Sequence, residues 1–161
     1  MPSSRLTPWL FAGLIVAADQ ATKVLVVATF ELGQSVPLLP HVLHLTYVQN
    51  TGAAFGLFKG QQALFIGLAL LVIGGIGWEL LVRPTRRRLA WWGCVLVLGG
   101  AVGNVIDRLR LGYVVDFIDL RVWPVFNVGD SAITIGVALL LWRSLIASRG
   151  RGRETGGEGR G

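Results

Sequence analysis

Cysteine is almost missing from this chain of 161 residues: Cys94 stands alone, so an internal disulfide and a thiolate zinc cluster are both excluded. Charge is scarce too, at 15% of residues against 53% hydrophobic, a balance that argues against an ordinary soluble domain. Histidine is limited to His41 and His44. Three apart in an alternating segment, they point to opposite faces, and no carboxylate or thiol cluster completes a metal site around them. No cofactor motif is present, so no metal and no cofactor is expected.

What the chain has in abundance is long apolar runs. They fill Trp9 to Phe30, Ala63 to Val82, Leu89 to Ile106 and Val128 to Ala147. At ~1.5 Å rise per residue, a run of about 20 residues crosses the ~30 Å hydrocarbon core of a bilayer. The expected fold class is an α-helical integral membrane protein of four transmembrane helices with a small extracytoplasmic β-layer. Residues 1–148 form its single domain, and 149–161, rich in Arg, Gly and Glu, form a disordered basic cytoplasmic tail. The first run is too long for a signal-peptide core and reads as a retained helix. Cys94 lies inside the third run and reads as a small packing residue.

The net charge of +6 could suggest a nucleic-acid partner, but the placement of the charges argues otherwise. Arg5, Arg83, Arg86, Arg87, Arg88, Arg143, Arg149, Arg151, Arg153 and Arg160 fall on one side of the spans. Lys23, Lys59, Arg108, Arg110 and Arg121 fall in or beside the opposite connectors. The bias puts both termini in the cytoplasm. Basicity here reports topology, and no nucleic-acid partner is expected.

Both connectors on the far side have strand character. From His41 to Gln49 the residues alternate, then Asn50-Thr51-Gly52 turns the chain into the short apolar piece 53–58, suited to an interfacial helix. The third run ends in Gly99-Gly100-Ala101-Val102-Gly103-Asn104, a surface that permits close helix approach. Beyond Gly112, Tyr113 to Leu120 is aromatic and β-branched, as strands are. Pro124 and Asn127-Val128-Gly129 then open the fourth helix, with Asp130 in its first turn. Asp19 and Lys23, four apart on one helical face, are costly at membrane depth unless paired. A structural ion pair and a direct role in a site are both open for them.

Carboxylates are the main chemical resource left. Asp116 and Asp130 sit near the same membrane boundary, one on a strand-like connector and one at a helix start. If the connector folds over the helix, the two share one proton and supply an acid and a base. Asp119 points the other way along the strand and pairs with Arg121 or Arg108 instead. Ser131 has no histidine near it in sequence and reads as a helix-start hydroxyl. Asn50, Asn104 and Asn127 either cap helices or orient a substrate amide. The same carboxylates would also suit a small proton-coupled transporter or channel component, and the small-residue surfaces would suit a non-catalytic bundle scaffold.

Five segments in series carry a resemblance: Asp19-Gln20-Ala21-Thr22-Lys23, Asn50-Thr51-Gly52-Ala53-Ala54-Phe55-Gly56, Gly100-Ala101-Val102-Gly103-Asn104-Val105-Ile106-Asp107-Arg108, Val114-Val115-Asp116-Phe117 and Phe126-Asn127-Val128-Gly129-Asp130-Ser131-Ala132. Together they closely resemble the bacterial lipoprotein signal peptidase (signal peptidase II) family. The resemblance implies an aspartic endopeptidase that cuts a diacylglyceryl-modified prolipoprotein just before its lipidated cysteine, without a cofactor. It also implies a monomer in the bacterial inner membrane, among membrane lipids, with its site near the extracytoplasmic face. Asp116 and Asp130 match the family's catalytic aspartates. Asp19, Lys23, Asn50, Gly56, Asn104, Arg108, Asn127 and Ala132 match positions that bind substrate or support the site. Gly129 departs from the more frequent alanine, and the stretch between the aspartates is shorter than in many members, which bears on the size of the β-layer.

Overall fold

The computed structural model describes residues 6–52, 61–82 and 88–154. Among the described residues, four helices are long and apolar enough to cross a membrane: α1 (Thr7–Thr29), α2 (Gln62–Val82), α3 (Arg88–Leu111) and α4 (Val128–Glu154), the apolar part of α4 ending at Ile146. They coincide with the four apolar runs. Pro8 sits in the first turn of α1, where its missing N–H costs nothing.

The helices are not equivalent. In α3, 67% of the apolar window is buried in the protein, against 22%, 6% and 17% for α1, α2 and α4, so α3 is the core and the others surround it. Glycine makes that position possible. A Cβ on Gly100 would run into the Gly129 carbonyl of α4, and one on Gly103 would run into the Asp19 carboxylate of α1. Toward the other end of α3, Ala12, Leu80, Cys94, Val95 and Leu98 form an apolar cluster, so Cys94 serves as a packing residue. Outward, large apolar side chains such as Leu14, Leu71, Trp78 and Leu141 are exposed, as lipid-facing positions can be.

A three-stranded antiparallel sheet, in the order β1 (Ser35–Leu39), β2 (Leu43–Asn50) and β3 (Val114–Asp119), lies beyond one end of the bundle. Val26, Tyr47, Val115 and Phe117 pack together and seat it on α1. Phe126 adds an isolated bridge to Ile118 at the far edge of β3. Strand β1 was not expected from the sequence, and β2 begins later than the expected His41. There the chain turns, with His41 at φ 63° and the Val42 N–H donating to the Leu39 carbonyl at 3.1 Å. Gly112, at φ 78°, ends α3 and donates to the Arg108 carbonyl at 3.2 Å, reversing the chain directly into β3.

The backbone of α4 is helical to Glu154, into the stretch 149–161 read as a tail. Residues 155–161 lie outside the described residues, as do Gly56 and the proposed interfacial piece at 53–58.

Candidate active site

The site is built on a buried lysine. Lys23 is 2% exposed, and its ammonium lies 2.8 Å from Asp19 Oδ2, 2.9 Å from Asp107 Oδ2 and 2.9 Å from Asn104 Oδ1. An ammonium has three hydrogens, and here each has an acceptor. Asp19 also accepts the Gly129 N–H at 2.7 Å, tying α1 to the first turn of α4. Asp107 accepts from Gln20 Nε2 at 2.8 Å and from the Val115 N–H of β3 at 3.1 Å. Ion pairs this deep are tolerated because the two carboxylates share one ammonium and take further donors from Gly129, Gln20 and Val115.

Beside this hub stand the two carboxylates of interest. Asp116 projects from β3, with Oδ1 accepting from Asn127 Nδ2 at 2.7 Å and Oδ2 from Asn50 Nδ2 at 2.9 Å. Asp130 sits in the first turn of α4 and accepts from Asn104 Nδ2 at 2.8 Å. Asn127, fully buried, joins the two halves. Its amide nitrogen serves Asp116 and, at 3.2 Å, Asn104 Oδ1, while its Oδ1 caps α4 by accepting the Asp130 N–H at 2.8 Å. A continuous line of polar contacts thus runs from Lys23 through Asn104 to Asp130 and through Asn127 to Asp116. Burial, and after it the charge of Asp130, pushes the Asp116 carboxyl up to about 7, against the lowering effects of the Asn50 and Asn127 hydrogen bonds and of Lys23.

A cavity of about 580 Å³ opens in front of Asp130. Asn50, Gly52, Arg108 and Asp130 give it a polar wall, and Leu120, Trp123, Pro124, Val125 and Phe126 give it an apolar roof. Asp116, 1% exposed, lies behind Asn50 and Asn127. Arg108 rests its guanidinium 5.3 Å from the centroid of Phe65, and its buried Nε has no hydrogen-bond partner among the described residues. Ala132 is buried one turn into α4.

Asp119 belongs to a different neighbourhood. Its Oδ1 accepts the Arg121 N–H at 2.8 Å, and its Oδ2 accepts Arg121 Nη1 at 2.9 Å and Thr46 Oγ1 at 2.8 Å. Burial alone would raise its pKa, but the Arg121 amide, Thr46 and the Arg121 guanidinium together hold it below the usual carboxylate value. Of the two partners considered for Asp119, the structure supplies Arg121. Ser131 donates to the Asn127 carbonyl at 2.9 Å, as a hydroxyl in a first helical turn does.

Reading the sequence did not single out Gln20, Asp107 or Phe65. Asp107 had a usable signal, since a carboxylate inside an apolar helix needs a cation. Which of the nearby basic residues answers it depends on how α1 and α3 pack.

This architecture is shared with solved bacterial membrane enzymes. One, determined by the in meso method at 2.3 Å resolution, superposes with a TM-score of 0.83 at 33% identity, covering 88% of this chain and 89% of its own. A second, at 1.9 Å resolution, gives a TM-score of 0.78 at 34% identity over 86% and 92% of the two chains. The fold is therefore that of a multi-pass bacterial membrane enzyme. Residues 11–146 match the family model described as Signal peptidase (SPase) II. A lipoprotein signal peptidase of Moorella thermoacetica is 46% identical over 145 residues, 90% of this chain and 97% of the relative. One from Trichormus variabilis is 48% identical over 143 residues, 85% and 88%. The chain belongs to the signal peptidase II family, which makes it a peptidase and leaves the transporter alternative without support.

Proposed function

We propose that the chain is an aspartic endopeptidase that removes the signal peptide from diacylglyceryl-modified prolipoproteins, cutting just before the lipidated cysteine. The observation that carries this reading is the pair Asp116 and Asp130, linked through Asn127, with Asp130 on the wall of a largely apolar cavity and Asp116 buried behind Asn50 and Asn127.

The chemistry follows from where each carboxyl sits. Asp130 lines the cavity from the first turn of α4 and serves as the base. It takes a proton from a water molecule as that water attacks the scissile carbonyl, forming the new C–O bond. Asp116, whose burial favours the protonated form, donates to the developing oxyanion. Collapse of the tetrahedral intermediate breaks the C–N bond, and the proton gathered by Asp130 goes to the leaving amine. Asn50 and Arg108, on the cavity wall, are placed to hold the substrate backbone. Asp19, Lys23, Asn104 and Asn127 keep the carboxylates in register, Ala132 keeps the first turns of α4 close-packed, and Gly56 belongs to the segment that follows Asn50.

Lipid contributes as well. Acyl chains held among the spans give binding energy of ~0.8 kcal/mol per buried CH₂ and place the peptide at the carboxylates. Both termini are assigned to the cytoplasm and the sheet and cavity to the extracytoplasmic boundary, by the distribution of arginine. The protein acts as a monomer in the inner membrane, with no resident cofactor.

The test is cleavage of a diacylglyceryl-modified precursor by purified protein, with product masses fixing the scissile bond. Cleavage on the amino side of the lipidated cysteine is expected. Proton flux into sealed vesicles without precursor, combined with no cleavage, would overturn the reading.

A further inference from the structure

The loop that roofs the cavity is pinned at its Phe126 end by the backbone bridge to Ile118 and at its Arg121 end by a side chain outside the carboxylate pair. Arg121 has φ 66°, in the left-handed region that a residue with a Cβ adopts only when its surroundings impose it. Asp119 imposes it. Its Oδ1 takes the Arg121 N–H at 2.8 Å, closing an Asx turn, and its Oδ2 takes the Arg121 guanidinium at 2.9 Å. Backbone and side chain of one residue are thus gripped by one carboxylate. Directly after this turn come Trp123, Pro124, Val125 and Phe126, which with Leu120 make the apolar roof.

The grip is anchored in turn across the sheet. Thr46 has one hydroxyl hydrogen, which goes to Asp119 at 2.8 Å. Ser35, 2.8 Å from Thr46, must then be the donor in that contact, and His44 Nδ1, 3.2 Å from Ser35, must carry the hydrogen for the last contact. The hydrogen bonds run one way, from His44 through Ser35 and Thr46 to Asp119, and so join β1, β2 and β3 to the turn.

We infer that Asp119 is a positioning residue for substrate selection: by clamping Arg121 it fixes the 120–126 loop as a preformed apolar wall for the substrate group beside the scissile bond. The inference rests on the peptidase reading of the cavity. Without the clamp, Arg121 relaxes toward ordinary negative φ, the roof loses its fixed shape, and binding must include the cost of ordering it. Asp116 and Asp130, held by their asparagines and not by Asp119, keep their geometry. The expected signature is a rise in KM with turnover retained.

Two measurements on the full-length protein separate this from general damage. Without substrate, hydrogen exchange in Asp119→Ala is expected to speed up at least about tenfold at the hydrogen-bonded loop amides of Arg121 and Phe126, while β2 is unchanged. With a lipidated precursor, Asp119→Ala is expected to raise KM about tenfold with kcat within about twofold. Adding Arg121→Gly, which makes the left-handed conformation freely available, is expected to bring KM part of the way back. Unchanged loop exchange, or a fall in kcat at constant KM, overturns the clamp. Faster loop exchange with unchanged KM overturns its role in selection. A wild-type protein that cleaves no lipidated precursor rejects the peptidase reading itself, an outcome the substrate-free exchange experiment does not share.

Discussion

Lys23 on α1 donates to the side-chain oxygen of Asn104 on α3 at 2.9 Å, and the nitrogen of that same amide donates to Asp130 at 2.8 Å. The contact fixes which way the Asn104 amide faces. An ammonium on its oxygen leaves only its N–H₂ for the carboxylate.

Replacing Lys23 by Met keeps an unbranched side chain, one atom shorter, but leaves Asp19 and Asp107 buried without their cation. Removing one partner from such a cluster costs about 3–5 kcal/mol. Thermal unfolding in detergent is expected to shift down by many degrees, with cleavage lost in parallel. An unshifted Tm would mean the hub is not a structural centre.

Asn at either carboxylate preserves shape and removes the titrating group. Asp116→Asn and Asp130→Asn are each expected to insert and fold as the wild type does while losing cleavage by at least about a thousandfold. Asp119→Asn keeps the Oδ1 acceptor for Arg121 and is expected to turn over at saturating substrate. A folded Asp119→Asn as inactive as the other two would displace the pair.

The pH profile follows from Asp116. Its carboxyl is raised from 3.8 to about 7, so it holds the acid's proton below about 7 and gives it up above. Cleavage is expected to fall as pH rises through about 7, and to fall again at low pH when a second proton reaches the pair and removes the base. Stability has the same sign: a carboxyl that binds its proton more tightly when folded contributes stability that is lost between about 4 and about 7 as pH rises. Rates measured from pH 4 to 9 against a lipidated precursor check this. A flat profile through neutrality would remove Asp116 as the acid.

Lipid on the substrate is expected to matter more than its sequence at a distance from the cut. An unmodified precursor loses its anchoring among the spans, and kcat/KM is expected to fall at least about a hundredfold. Equal rates would rule acyl docking out.

Topology can be read by cysteine labelling in intact cells, because Cys94 is the only native cysteine and is buried. A cysteine placed at Val122, 90% exposed, is expected to react from outside, and one in the 84–88 connector only after permeabilisation. The reverse pattern would put the cavity on the cytoplasmic face.

The spans were legible because lipid demands long unbroken apolar runs, and such runs survive any reading of the sequence. Strand β1 was not legible. Ser35-Val36-Pro37-Leu38-Leu39 has no alternation, contains a proline, and is exposed along its whole length, so only its pairing with β2 makes it a strand. The start of β2 was misjudged for a related reason, since the alternation continues backward through a turn that His41 makes by its backbone angle alone. Asp119 with Arg121 could be anticipated from their closeness in the chain. The link between Asp107 and Val115 could not, because a side chain reaching the backbone of the next element leaves no pattern in residue type.

The hydrogen bond from Gly129 to Asp19 joins residues 110 apart in the chain. During synthesis, α1, α2 and α3 are made and delivered to the bilayer before the last helix exists. Until then Asp19 lacks its α4 partner, Asn104 has no carboxylate to hold and Asn127 has no helix to cap. A ribosome-bound chain therefore carries half of the proposed catalytic pair and no cavity. On the proposed mechanism, hydrolytic competence arrives in one step with the insertion of the fourth helix, and a chain terminated before it is expected to be an inert membrane fragment.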